Sequence, residues 1–278
     1  MCNTFLCTTG LARGLNYKLI LLNNRDEVLD RKTSAAHWEN NYLAGHDEQE
    51  KERGTWLGIR KDGRIGNTLS ITEPEHIKDQ RPLAPTRGTI VTDFLKTGAL
   101  SAVQYCSDFT KKALNYNGFQ FLALERNESD HYNVYSLTNR LVKEVKTCSW
   151  KEGIYCFGNS PHETPMKKVA YGEQIFKQFI EDLPTEVTEK TIVDGLMRIA
   201  EDSTQHFPDE QLAEQTGRDD SYNRYLSAIY VRFPPHIPYG TRCHTIILID
   251  KENEVYFREQ RLVEEEKWET SEFRFKLD

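Results

Sequence analysis

Tyr17–Asn23 is a nearly continuous apolar run of strand length, the pattern of a strand buried on both faces. Thr4–Thr8 is a shorter strand candidate before it, across a turn at Gly10–Gly14, and the charged stretch Asn24–Asp30 reads as the loop that leaves it. Thr55–Arg60 and Arg64–Ile71 are extended runs joined by Lys61-Asp62-Gly63, and Asp-Gly between such runs predicts a hairpin. His37–Glu50 is polar and irregular, ends in the acid-rich Asp47–Glu50, and is expected to be a surface loop. Glu73–Arg87, with Pro74, Pro82 and Pro85, is expected to loop over one edge of a site.

The period then changes. Thr89 is placed to cap a helix over Ile90–Lys96, and Ser101 a second one with apolar residues at 102, 103, 106, 109, 113 and 114. Phe119–Glu125, Tyr132–Ser136 and Leu141–Val145 alternate between Asn/Asp/Ser clusters, the mark of a meander, and Ile154–Phe157 is a short strand closed by Gly158-Asn159-Ser160-Pro161. Pro165 opens a helix to about Ile180, with Val169, Ile175, Phe176 and Phe179 on one side, and Lys190–Glu201 is another. Gln205–Asp220 reads as a polar loop or lid-like insertion. Ala228–Phe233, Thr245–Asp250, Glu254–Gln260 and Trp268–Lys276 are predicted strands, with a turn at Glu252-Asn253. Strands, helices, strands, helices and strands, with hairpins at both ends, favour an α+β layered sandwich of mainly antiparallel sheets over a doubly wound parallel fold. Without an internal repeat or a Gly/Ser linker, residues 1–278 are expected to form a single domain.

Composition narrows the function classes. A net charge of −7 lacks the clustered cationic footprint that a nucleic-acid backbone needs as a partner, so none is expected. Lys111-Lys112 and Lys167-Lys168 read as solvated helix faces. Cys2, Cys7, Cys106, Cys148, Cys156 and Cys243 include no CxxC pair, which points to reduced thiols in a cytosol-like compartment and to no structural zinc site, and no metal site is expected. The N-terminus carries neither a secretory apolar core nor a membrane span. Its first 25 residues lack acids and hold Arg13, Lys18 and Arg25, but a cleaved presequence would discard Cys2 and Arg25. The expectation is an uncleaved cytoplasmic protein.

Five places hold candidate chemistry. Cys2, if Met1 is trimmed, carries a thiol together with its own base, an α-amino group with a pKa of about 7.7–8.0. Arg25-Asp26 would supply orientation and charge balance beside that thiol. Asn159, in the turn after a strand, could donate its amide to an oxyanion. Arg242 precedes the apolar strand Thr245–Ile249, and Trp56 lies between Gly54 and Gly58. Taken singly, each has an ordinary reading: an incidental cysteine, a loop ion pair, a turn asparagine, a surface arginine, a core aromatic.

Together they read differently. Met1-Cys2, Asn24-Arg25-Asp26-Glu27, Gly54-Thr55-Trp56-Leu57-Gly58-Ile59, the stretch from Gly158 to Lys168 and the stretch from Tyr239 to Leu248 resemble, in order and nearly end to end, the NRDE-motif family of Transport and Golgi organisation protein two and its relatives. That family is in turn similar to N-terminal-nucleophile hydrolases of the penicillin acylase and bile salt hydrolase type, which implies a four-layer αββα sandwich. The resemblance makes Cys2 the nucleophile toward an amide or thioester and Asn159 the oxyanion donor, with Arg25, Asp26 and Arg242 completing the site. Where the family usually has a polar residue, often Asn, after the GTWLGI strand, the register here gives Ser70.

The family is also linked to haem mobilisation, to acyl-CoA or lipid handling and to secretory-pathway organisation. The resemblance therefore implies first a haem-binding, haem-trafficking protein, secondly a Cys2 amidase or thioesterase, and thirdly an acyl-CoA or lipid carrier. It allows transient membrane or organelle contact, at mitochondria or Golgi. For haem, His244 and His162 are the expected ligands near the pocket, among Arg25, Asp26, Trp56 and Arg242. For acyl-CoA, Arg25 and Arg242 would hold phosphate or carboxylate.

Overall fold

A computed structural model describes residues 1–10, 13–78, 80–264 and 266–278. It contains two antiparallel sheets. The first runs in the order β10 (Ile154–Phe157), β1 (Asn3–Cys7), β2 (Tyr17–Val28), β11 (Tyr239–Asp250), β12 (Glu254–Glu264), β13 (Lys267–Lys276). The second is a meander, β3 (His37–Glu39), β4 (Tyr42–Ala44), β5 (Leu57–Arg60), β6 (Ile65–Ser70), β7 (Phe119–Arg126), β8 (Tyr132–Thr138), β9 (Thr147–Trp150).

The apolar run at Tyr17–Asn23 explains the layering. Side chains of a strand alternate between faces, so Leu19 and Leu21 point one way and Ile20 and Leu22 the other. Leu19 and Leu21 join Leu6, Ile247 and Phe257 against Leu57, Ile59, Leu122 and Leu124 of the second sheet. Ile20 and Leu22 join Phe5, Ile246 and Leu248 against Phe176 and Ile180 of α4 (Lys167–Asp182) and Ile192 and Leu196 of α5 (Glu189–Ala200). On the far face of the second sheet, Tyr42, Phe119, Phe121 and Ala123 pack on Ile90, Phe94 and Leu95 of α2 (Gly88–Lys96) and on Tyr105, Cys106 and Phe109 of α3 (Ala102–Ala113). Helix, sheet, sheet, helix is the expected αββα sandwich.

Several boundaries differ from the sequence reading. β2 does not end at Asn23 but continues through Asn24–Val28, because β11 pairs that far: His244 faces Asn24, Cys243 faces Arg25 and Thr241 faces Asp26, with a bulge between Thr241 and Cys243. His37–Glu50 is no surface loop, since Tyr42-Leu43-Ala44 is fully buried between the sheet's neighbours and α2. Gln205–Asp220 holds α6 (Glu210–Thr216), capped by the Asp209 carboxylate, which accepts from Leu212 N at 3.1 Å, and ended by Gly217 at φ 61°. Ala228–Phe233 is not a strand. It makes one bridge, Arg232 to Gly240, and spends Ile229, Val231 and Phe233 on the helix-side core. Leu141–Val145 is not a strand either; Leu141 is exposed with φ 58°, and β9 pairs with β8 in its place. Glu73–Arg87 contains one short helix, α1 (Glu75–Lys78).

The helix signals were partly right in kind. Ser101 caps α3 in a reciprocal box with Gln104, but Val103 and Leu114 are exposed and Tyr105 is buried in their stead. Thr89 does not cap α2, which starts at Gly88; its hydroxyl donates to Thr86 O at 2.8 Å. α4 starts after Met166, two residues beyond Pro165. In the turn expected at Gly10–Gly14, residues 11 and 12 lie outside the described residues. Among the described residues no helix is long and apolar enough to cross a membrane, and all six cysteines are free.

One backbone contact fixes α2 to the site. A Cβ on Gly54 would lie 2.5 Å from the carbonyl carbon of Gly88 and 2.6 Å from its Cα, and Thr55 N donates to Gly88 O at 3.2 Å. Gly54→Ala must push the start of α2 away, and we expect a loss of about 1–3 kcal/mol. Denaturant unfolding against the parent checks this; an unchanged midpoint would show that the helix start gives way without cost.

Candidate active site around Cys2

β1 brings Cys2 to one end of the first sheet, where the polar extension of β2 and the bulged start of β11 lie beside it. The backbone N–H of Cys2 donates to Asn159 Oδ1 at 2.5 Å. Asn159 is fully buried in the turn after β10, and its Nδ2 donates to Ser70 O at 2.6 Å. Ser70 thus meets Asn159 through its backbone carbonyl. Asn159 O itself accepts from Thr72 N at 3.0 Å and Gln215 Nε2 at 2.9 Å, so the turn is pinned from two sides.

Asp26 is buried under the N-terminus. Its Oδ1 accepts from Thr241 Oγ1 at 2.6 Å, and its Oδ2 stands 3.8 Å from the Met1 ammonium with no hydrogen-bond partner among the described residues. The ammonium also donates to Tyr239 Oη. The Cys2 thiol faces Asp26 O at 3.7 Å. Arg25 lies over the Trp56 ring at 4.3 Å and 3.7 Å from Glu27. The five residues drawn from four separate stretches, Cys2, Arg25, Asp26, Trp56 and Asn159, are therefore brought together.

Two adjoining cavities open onto this corner. One of about 110 Å³ is lined by Cys2, Arg25, Trp56, Gly54 and Gly88 among others, and one of about 350 Å³ by Met1, Thr72, Asn159, Arg218 and Tyr239 among others. Both share Asp26, Glu27, Ser70 and Arg87. Burial dominates the ionisation here. It pushes the Cys2 thiol up, against the opposing pull of the N-terminal charge, and it raises the Asp26 carboxyl. It depresses Lys168, which the nearby Asp26 and Cys2 partly offset.

Lys168 corrects the reading of Lys167-Lys168 as a solvated face. It is buried, and its ammonium donates to Ala228 O at 3.0 Å. Met1, Arg87, Lys168 and Tyr239 are the site residues that sequence reasoning missed. Tyr239 opens one of the matching motifs and so had a signal. Lys168 closes another, but nothing there tells which way its side chain points, because a helix lysine looks the same whether it faces water or a buried carboxylate.

The remaining candidates lie elsewhere. Arg242, at the bulge, donates from Nη1 to Val28 O at 3.0 Å and Arg31 O at 2.5 Å, and from Nη2 to Thr33 Oγ1 at 3.3 Å. It lines neither cavity and holds the segment after β2; burial and the neighbouring Arg25 bring it down to about 10. His162 packs edge-on to Trp150 at 4.5 Å and lines a separate cavity with Cys148 and Gln120. His244 points to the helix-side face, because strand alternation sends it opposite to Cys243. Its Nδ1 pairs with Asn24 Oδ1 at 2.8 Å, and its ring stacks on Trp268 at 5.0 Å. Neither histidine lines the Cys2 cavities.

Comparison with known proteins follows the same lines. A family model described as Transport and Golgi organisation 2 matches residues 1–264. The chain is 33% identical over 273 residues to the Transport and Golgi organization 2 homolog of Mus musculus, covering 94% of this chain and 93% of that one. It is 30% identical over 271 residues to Transport and Golgi organization protein 2 of Drosophila melanogaster, covering 94% and 92%. Among solved structures it is similar to the Caenorhabditis elegans ortholog of N-acylethanolamine-hydrolyzing acid amidase, with TM-score 0.46, 10% identity and coverage of 89% and 92%. A mutant of conjugated bile acid hydrolase from Clostridium perfringens matches with TM-score 0.39, 10% identity and coverage of 100% and 97%.

His244 generates a pH prediction. Burial holds it down to about 3, whereas an exposed histidine titrates near 6.5. Between these values the unfolded chain binds a proton that the folded chain refuses, so stability falls as pH drops from about 6.5 toward 3. His244→Gln can keep the Asn24 contact without titrating, and thermal melts against pH should then show a flatter acid limb. A variant curve parallel to the parent's would assign the acid sensitivity to other groups.

Proposed function

The chain belongs to the Transport and Golgi organisation 2 family, and on that premise we propose that its Cys2 corner is a hydrolytic centre for an amide or thioester, active once Met1 has been removed. The observation that carries this reading is the convergence of the Cys2 backbone nitrogen on Asn159 Oδ1, 2.5 Å away and 157 residues apart, at the junction of two cavities. Ordinary packing does not require a buried asparagine, a buried carboxylate and a buried lysine around one half-buried thiol, since each buried polar group costs free energy unless satisfied.

Removing Met1 turns the Cys2 amide into a free amine and empties the space where Met1 now contacts Thr72 and Tyr239. The amine takes the thiol proton, which matters because burial keeps the thiol neutral at physiological pH. The thiolate adds to the acyl carbonyl, and the oxyanion is met by the second N–H of the Asn159 amide, the first being committed to Ser70 O. Collapse expels the amine or thiol leaving group, which takes its proton from the Cys2 ammonium. Water, deprotonated by the same amine, then hydrolyses the acyl thioester. Asp26 balances the positive charge on the amine, and Arg25 and Arg87 offer guanidinium forks to an anionic substrate.

Haem carriage is the second reading, and a different feature favours it. A groove of about 630 Å³ at the edge of the first sheet is lined by Leu29, Phe233, Ile237, Leu262 and Trp268, with Arg232 beside them. Its apolar wall suits a planar ligand, whose carboxylates would have to draw Arg232 from Glu266, 2.9 Å away, in a groove that Asp30 and Glu264 also line. Trp268 and Tyr230 of that groove also stack on His244, which puts an imidazole behind its wall.

Turnover of a panel of N-acyl amides and acyl thioesters by the natively processed protein tests the first reading. Cys2→Ala should lose activity by on the order of 10⁴-fold or more at an unchanged fold. The parent kcat/KM should rise through about pH 7–8 as the amine loses its proton. Intact-mass analysis showing Met1 retained on an active protein, or turnover unaffected in Cys2→Ala, would end this reading. For haem, titration should give a saturable Soret band that Trp268→Ala weakens; a band identical in both proteins would place haem outside the groove.

A further inference from the structure

A second cluster of ligand-type side chains lies on the β3–β4 ribbon, in the segment that reads from sequence as a polar loop. His37 and Glu39 are two residues apart on β3, so they share a face. β3 and β4 pair with His37 opposite Ala44 and Glu39 opposite Tyr42. His46 lies two residues beyond Ala44, where the pairing shifts by one residue: Thr33 bridges Asp47, and Ser34 N donates to His46 O at 3.0 Å. One ligand atom from each of His37, Glu39 and His46 lies within 4.8 Å of those of the other two.

The outer contacts prepare these three side chains for a cation. His37 Nδ1 lies 2.9 Å from Ala35 O, and His46 Nδ1 lies 3.0 Å from Arg53 O. A carbonyl can only accept, so in both rings Nδ1 carries the hydrogen and the lone pair is left on Nε2. Glu39 Oε1 accepts from Tyr42 Oη at 2.9 Å, which leaves Oε2 for another partner. Such second contacts, fixing tautomer and orientation, are what metal-bound histidines and carboxylates show.

His46 is the independent sign that something belongs between them. It is fully buried, and its Nε2 has no hydrogen-bond partner among the described residues. Glu39 Oε2 is 3.6 Å from it, too far for a hydrogen bond. Two ligands about 2.0–2.1 Å from one tetrahedral ion stand roughly 3.4 Å apart, which is close to this separation. Arg53 and Lys96 approach Glu39 at 3.7 and 3.8 Å, but both are about half exposed and can turn away.

We propose that His37, Glu39 and His46 form a site for one divalent first-row transition ion of the zinc type, with water completing the shell. Two imidazoles and one carboxylate suit that class better than calcium or magnesium, which prefer oxygen ligands. The ion would clasp the ribbon to the following loop. His46 is bonded to Arg53, and Asp47 N donates to Gly54 O at 2.9 Å, so the clasp reaches Asp47, Gly54 and Trp56 in the wall of the Cys2 cavity. This site stands whether or not Cys2 is catalytic.

The test is Co²⁺ titration of the full-length chain after chelator dialysis, read by visible d–d absorption, with Zn²⁺ competition and thermal melts. The expected result is a saturable, stoichiometric band that Zn²⁺ displaces, and a Tm that rises with Zn²⁺ by mass action. Glu39→Gln and His37→Ala, both partly exposed positions, should each weaken binding on the order of tenfold or more with an unchanged circular dichroism spectrum. His131→Ala, at an exposed histidine away from the ribbon, should leave binding intact. No saturable band, equal affinity in Glu39→Gln and His37→Ala, or a thiolate charge-transfer band locating the ion at a cysteine would each overturn the proposal.

Discussion

The pairing of β2 with β11 carries the molecule. These two strands are neighbours at the middle of the first sheet, and their ladder runs from Tyr17 opposite Asp250 to Val28 opposite Tyr239. The half from Leu19 to Leu22 is apolar and holds two cores apart, one against the second sheet and one against α4 and α5. The half from Asn23 to Asp26 is polar and still buried, and it supplies one wall of the candidate site. A single strand thus converts a core into a pocket without a change in backbone conformation.

That conversion is costly, because polar groups withdrawn from water must find partners inside the protein. Asn23 donates to Asn3 O and Thr4 Oγ1, Asn24 donates to Ala200 O, and Asp26 accepts from Thr241. The partners lie on three other stretches of chain, so the network ties β1, β2, β11 and the end of α5 together. The bulge between Thr241 and Cys243 belongs to the same solution. It lets Arg242 turn to the carbonyls of Val28 and Arg31 while the neighbouring residues keep their register. Arg242 is better understood as the brace of this wall than as a group that meets a ligand.

Among the buried polar atoms without a partner in the described residues, two are informative by their position. Asp26 Oδ2 lies under the amine of Met1, and His46 Nε2 lies in the face of the β3–β4 ribbon. The two places are joined by the loop from Asp47 to Trp56, which begins beside one and lines the cavity of the other. Gly54 can take part because it has no side chain where Gly88 passes. The geometry of the Cys2 corner therefore depends on a segment that carries no apolar periodicity.

Much of the fold was legible in the residues. The apolar run at Tyr17–Asn23, the Asp-Gly hairpin at 62–63 and the helix start at Ser101 are local signals with local causes, and all are present. The convergence of Cys2, Arg25, Asp26, Trp56 and Asn159 was legible as a pattern of motifs, though no single residue showed it. What periodicity could not say is where a polar residue is buried. Asn24 to Val28 looks like a charged loop until β11 is laid beside it, Lys168 looks solvated until Asp26 is placed beneath it, and His244 looks available until strand parity turns it to Trp268. The alternation of layers and the residue types at the site follow from neighbours along the chain and could be read from them. Which of those residues meet is set by burial and by pairing between distant segments, as where Asn159 reaches Cys2 and Thr241 reaches Asp26.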